Sequence, residues 1–233
     1  MTRTAVVAGV GPGLGGSIVE RFVDAGCTVG AIARTGGYLD RLEDAHDDAV
    51  LGIRADVTDP SAVSSGFEVV RDRYGPIDIL VFNPSYGNWK GLESITPDEF
   101  EASWRVSAYG ALLCAQEAVV DMRDRDGGTI IFTGATSALR GRDGAIGFSA
   151  AKFAARGMAE SMARELGPAG IHVAHVIIDG QIRRPDVGDR YPNRGEETFL
   201  DPNAIADAYW TLVEQDRSAW TLELDLRPHV EEF

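Results

Sequence analysis

Lysine is almost missing from this chain: it stands only at Lys90 and Lys152, and arginine supplies the rest of the positive charge. Acids outnumber bases, 36 Asp and Glu against 22 Lys and Arg, for a net charge of −14 and a pI near 4.6. Such a balance leaves no broad basic surface and argues against nucleic acid or an anionic membrane as partner. Dense carboxylates with few lysines are also the pattern of proteins adapted to salt, although a GC-rich coding bias toward arginine gives the same poverty. Cysteine is scarce too, only Cys27 and Cys114. Two isolated thiols provide neither metal-ligand spacing nor a disulfide framework, which fits a reduced, cytoplasmic protein. No apolar run approaches the ~20 residues that span a bilayer, and the N-terminus shows no signal-peptide pattern. At 233 residues there is room for one α/β domain, 1–233, and not for a second of similar size.

What is present is a regular alternation. Short apolar runs predict strands at Ala5–Ala8, Cys27–Ala33, Val50–Ala55, Ile77–Phe82, Thr129–Thr133, His172–Ile178 and Trp220–Leu224. Amphipathic stretches between them predict helices at Leu14–Ala25, Gly37–Ala45, Pro60–Arg73, Pro97–Met122, Ala145–Leu166 and Pro202–Glu214. Asp59-Pro60 and Thr96-Pro97 pair a capping side chain with proline in the first turn, and Gly167-Pro168 is a helix stop. Strand–helix alternation of this kind builds a mostly parallel sheet of about seven strands with helices on both faces. The stretch Arg183–Thr198 reads as a loop at the carboxyl edge of that sheet, either a lid or plain exposed chain.

The first strand runs into Gly9-Val10-Gly11-Pro12-Gly13-Leu14-Gly15-Gly16 and then a helix. Glycines allow a sharp turn and close backbone approach to a pyrophosphate, while the helix N-terminus offers free amides and the positive end of its dipole. The spacing Gly9-x-x-x-Gly13-x-Gly15 resembles that of short-chain dehydrogenases/reductases. Four further segments carry the same resemblance in order: Asp56-Val57, Asn83-Pro84-Ser85, Lys152 in the long helix, and Asp179-Gly180. The family implies a Rossmann-type fold and a nicotinamide cofactor held by Gly9, Gly13, Leu14, Gly15, Arg34, Asp56, Val57, Asn83, Ser85, Lys152 and Gly180. At the end of the second strand, where NAD-preferring members carry an acid, stand Ala33 and Arg34. A guanidinium suits a 2′-phosphate through charge-assisted bonds, so NADP(H) is favoured over NAD(H). Pro12 occupies the place where many NADP members add a second basic residue.

The family's catalytic side chains are mostly replaced. Its Tyr falls on Phe148, its Ser on Ala135 and its Asn on Ser107; only the Lys survives, as Lys152. Phe keeps the ring but has no proton to give, and a general acid typically contributes about 10²–10⁴-fold. Tyr86 is the first replacement acid to consider, against simple aromatic packing; Ser137 and Thr136 read as solvent-facing loop hydroxyls, and Tyr109 as packing. His172 and His175, three apart on a strand, point to opposite faces and do not share a metal. Asp179 belongs to its turn. Three functions are consistent with these residues: a divergent NADP(H)-dependent oxidoreductase acting on an unknown small molecule, a cofactor-binding sensor or regulator without turnover, and, least favoured, a non-redox enzyme on the same fold. The two long helices match those that pair subunits in the family, implying a homodimer or homotetramer; the unusual ending Ala219–Pro228 weakens the tetramer more than the dimer.

Overall fold

Each apolar run becomes a strand because its alternate side chains enter two different cores. In β1 (Thr4–Ala8), Ala5 and Val7 face one helical layer while Val6 and Ala8 face the other. The computed structural model describes residues 2–185, 191 and 193–231. β1 is followed by β2 (Thr28–Ala33), β3 (Val50–Arg54), β4 (Ile79–Phe82), β5 (Gly128–Thr133), β6 (Ile171–Ile178), β7 (Gln181–Ile182), β8 (Phe199–Leu200) and β9 (Glu223–Leu226). Seven form one sheet in the order β3-β2-β1-β4-β5-β6-β9, parallel at every pairing.

One layer holds α1 (Leu14–Asp24), α2 (Gly37–His46) and α7 (Pro202–Val213), which bury Ile18, Phe22, Leu39, Ile205 and Tyr209 against the sheet. The opposite layer holds α3 (Pro60–Tyr74), α4 (Pro97–Trp104), α5 (Gly110–Arg123) and α6 (Ile146–Leu166), with Phe67, Cys114, Met122 and Leu166 in its core. The expected starts hold. Asp59 accepts from the amides of Ser61 and Ala62, and Thr96 forms a reciprocal capping box with Glu99. Strand order reverses about β1 and β4, the place where a doubly wound sheet opens a crevice at its carboxyl edge.

Two expectations need correction. The last strand lies at Glu223–Leu226, not Trp220–Leu224, because Trp220 stacks on His172 at 5.0 Å and Thr221 O meets His172 Nε2 at 2.8 Å. The single helix Pro97–Met122 is divided by a π-helical turn, Arg105–Tyr109, between α4 and α5. The stretch expected as loop, Arg183–Thr198, is flanked by a small parallel pair, β7 with β8. Of the lid expected at Arg183–Thr198, residues 186–190 and 192 lie outside the described residues. No described helix is long and apolar enough to cross a membrane.

Candidate active site

The glycine turn is built by steric necessity. Gly9 has φ +83° and Gly13 φ +115°, both in the region that L side chains avoid. A Cβ on Gly9 would sit 2.6 Å from Pro84 N, and one on Gly15 would sit 2.5 Å from Gly9 O. Asn83 Nδ2 donates to Gly9 O at 2.9 Å, tying the turn to the end of β4. Gly11, by contrast, faces open space. Helix α1 has no side-chain cap, unlike α3, α4 and α7; Gly16 and Ser17 donate to Gly11 O and Gly13 O, and the Leu14 and Gly15 amides remain at the turn for an anion. The side chain of Arg184 lies over the turn, with its Cγ 3.2 Å from where a Gly13 Cβ would be.

From the turn a cleft of about 670 Å³ runs along the carboxyl edge. Gly9, Leu14, Gly15, Asn83, Ser85, Lys152 and Gly180 all line it. A second hollow of about 360 Å³ holds Arg34, Asp56, Val57 and Tyr86. Asp56 Oδ1 accepts from both the amide and the hydroxyl of Thr58 at 2.9 Å, and the amide bond leads in holding its pKa below the usual value. The family-derived residues therefore converge, except that Gly13 faces Arg184 on the outer side of the turn.

At the far end of the cleft Lys152 is buried, and its Nζ donates to Thr133 O at 2.8 Å. Burial alone lowers its pKa to about 8. Phe148 packs between this ammonium, 5.8 Å from its ring centroid, and Trp89, 5.3 Å away ring to ring. Ala135, extended at φ −159°, lines the cleft as well as a third hollow of about 650 Å³ beside it. Ser107 is enclosed in the π-helical turn with its Oγ unpartnered among the described residues, and it does not line the cleft.

The replacement hydroxyls are not where the sequence suggested. Tyr86 lies with Arg34 and Asp56, outside both hollows that contain Phe148. Ser137 is buried with an unpartnered Oγ, and Thr136 Oγ1 donates to Asp179 Oδ1 at 2.5 Å; neither is a plain solvent-facing hydroxyl. Both line the third hollow. His172 and His175 do face opposite layers: His172 meets Leu212 O and Thr221 O, while His175 lies under α6 near Arg156 and Lys152. Burial first, then those two positive charges, holds the His175 pKa down to about 4. Trp89 and Arg184 had no motif to announce them.

The fold, the turn and the buried lysine agree with a sequence match over residues 3–183 to the model of the short chain dehydrogenase family. The chain belongs to the short-chain dehydrogenases. A 3alpha-hydroxysteroid dehydrogenase of Mediterraneibacter gnavus is 29% identical over 95% of this chain and 94% of its own. A 3-oxoacyl-(acyl-carrier-protein) reductase of Mycobacterium avium is 31% identical over 78% of this chain and 68% of its own. Among solved structures, a short-chain dehydrogenase from Rhodopseudomonas palustris superposes with TM-score 0.83 at 31% identity, covering 97% of this chain and 99% of that one. The short-chain dehydrogenase assignment makes this chain an oxidoreductase by family, in the class that uses nicotinamide dinucleotides.

Proposed function

We propose that the chain binds NADP(H) in this cleft and uses it as an oxidoreductase on a small molecule, by a route that does not pass through the family's Tyr and Ser. The observation that carries the reading is the uncapped N-terminus of α1 opening on a cleft whose far end holds the buried Lys152. The first-turn amides of α1 and the Arg184 guanidinium would hold the pyrophosphate; Asp56 and Val57 would flank the adenine. Arg34, which makes no ion pair among the described residues, would hold the 2′-phosphate. Lys152 would hold the nicotinamide ribose. The bound dinucleotide supplies or accepts hydride. With Phe148 and Ala135 bearing no exchangeable proton, the proton for the substrate oxygen comes from water entering the third hollow past Thr136.

A second reading, cofactor binding without turnover, is favoured by one observation: Phe148 is wedged under Trp89 where a proton donor belongs. NADPH titration followed by NADPH oxidation against a panel of ketones and activated alkenes separates the two. The expected result is tight NADPH binding, slow oxidation by wild type, and no change in Tyr86→Phe. Silence in wild type with a gain of at least ~10²-fold in Phe148→Tyr/Ala135→Ser supports the second reading. We also propose a homodimer paired through α4–α6, which expose Phe100, Trp104, Val120 and Phe153.

A further inference from the structure

In a chain where carboxylates so outnumber bases, an arginine without an acidic partner is the exception. Most arginines here are paired, as Arg71 is with Glu117 and Asp121, or Arg156 with Glu223. Among the described residues six are not: Arg34, Arg41, Arg140, Arg142, Arg184 and Arg194. Arg41 stacks on Tyr38 away from the cleft. The other five line its hollows. Arg34 and Arg184 are absorbed by the proposed cofactor phosphates. Arg140, Arg142 and Arg194 remain, and all three line the third hollow.

That hollow is the one beside Ala135 and Phe148, where a substrate must enter to reach Lys152's end of the cleft. Its walls also include Trp89, which carries Arg142 at 5.6 Å, and Tyr191, which carries Arg194 at 5.5 Å. Among the described residues two carboxylates share the hollow, but they do not cancel the trio. Asp179 accepts the Thr136 hydroxyl and faces Arg227 at 3.6 Å, which leaves Glu231, of the described carboxylates, against three guanidiniums. Guanidiniums that make no internal hydrogen bond keep their donors for a ligand, and their planar fork matches a carboxylate or a phosphate. The net negative charge elsewhere on the molecule repels anions, so a locally positive mouth is what could draw one in.

We infer that the third hollow is the substrate site and that the substrate is an anion: a flat apolar body, lodged between Trp89 and Tyr191, carrying a carboxylate or phosphate held by Arg140, Arg142 and Arg194. The identity of the hollow as a substrate site rests on the oxidoreductase reading; its taste for anions does not. The test is therefore one of binding. Calorimetry at fixed ionic strength compares 3-phenylpropionate and phenyl phosphate with the neutral 3-phenylpropanamide, each with and without saturating NADPH. At least one of the anions is expected to bind ten-fold or more tighter than the amide. In Arg140→Gln/Arg142→Gln that preference falls to within about two-fold, while Arg41→Gln keeps it. NADPH affinity and thermal midpoints of both variants check that the fold and the cofactor cleft are intact. Equal binding of amide and anions, or an anion preference untouched by the double substitution, overturns the inference. Which anion binds tighter separates a carboxylate from a phosphate substrate. An anion preference in a protein that neither binds nor oxidises NADPH would sink the oxidoreductase reading and leave the anion site standing.

Discussion

The two ends of the cleft have been treated differently. At the proposed dinucleotide end the parts brace one another: positive-φ glycines, the Asn83 clamp, Asp56 pinned by Thr58, and an uncapped helix. At the proposed reaction end stand Phe148, Ala135 and an enclosed Ser107, which the sequence resemblance sets at the family's proton-bearing positions, together with the buried Lys152. On the proposed reading, binding a dinucleotide and activating a substrate oxygen are separable demands on one fold. The first is met largely by backbone shape, which tolerates few changes. The second hangs on a few atoms that can be deleted without disturbing the sheet.

The largest effect that should break this contrast lies in the turn. Gly9→Ala combines a left-handed φ with a clash against Pro84 N, and about 3 kcal/mol or more of stability should be lost. Thermal melts would show it as a fall of roughly 6–12 °C, at about 2–4 °C per kcal/mol. Gly11→Ala is its counterpart. A methyl there meets no protein atom, so the melt should move by less than about 0.5 kcal/mol. Because Gly11 lines the cleft, NADPH affinity should drop about ten-fold, near 1.4 kcal/mol. Unchanged NADPH binding would show that the dinucleotide end is preserved for something else.

Arg34→Ala sharpens the comparison within that end. NADPH should bind about ten-fold more weakly while NADH is unaffected, since only the 2′-phosphate loses a charged donor. Equal losses for both cofactors would refute the NADP(H) preference. A pH-dependent effect concerns Lys152, whose pKa in the fold is lowered to about 8 from an ordinary 10.5. Below pH 8 both states are protonated and the buried charge exerts its full penalty. Between about 8 and 10.5 the folded chain gives up the proton first, so stability from this group rises with pH. The denaturation midpoint of wild type should therefore gain on that of Lys152→Met as pH climbs from 8 to 10; a parallel pair of curves would mean that the ammonium is not desolvated.

Much of this was legible in the residues, and the reason differs from place to place. Strands β1, β2, β4, β5 and β6 announce themselves because both of their faces are largely buried, so the runs are mainly apolar. The last strand was misplaced because its residues are only partly buried, and Trp220 and Thr221, which look like strand, are spent on His172 instead. The π-helical turn leaves no mark on the apolar period of the helix it interrupts. Motifs pointed to the glycine turn since glycine's backbone freedom is written in its identity. Which hollow Tyr86 lines was not legible, because a loop's direction is not written there. Nor can a sequence say which arginines have found a carboxylate: Arg71 and Arg142 are the same letter, and only their neighbours tell them apart.

The wholly parallel sheet also dictates how the chain must assemble. No two neighbouring strands are joined by a hairpin, so every pairing waits for an intervening helix or a longer stretch to be made and packed. β6 buries all eight of its residues, yet its outer edge has no partner until β9 arrives, after the small β7–β8 pair and α7. During synthesis that edge is a long, apolar, unpaired template. The vulnerable interval in this protein's life is thus the time between the emergence of β6 and the docking of its last strand.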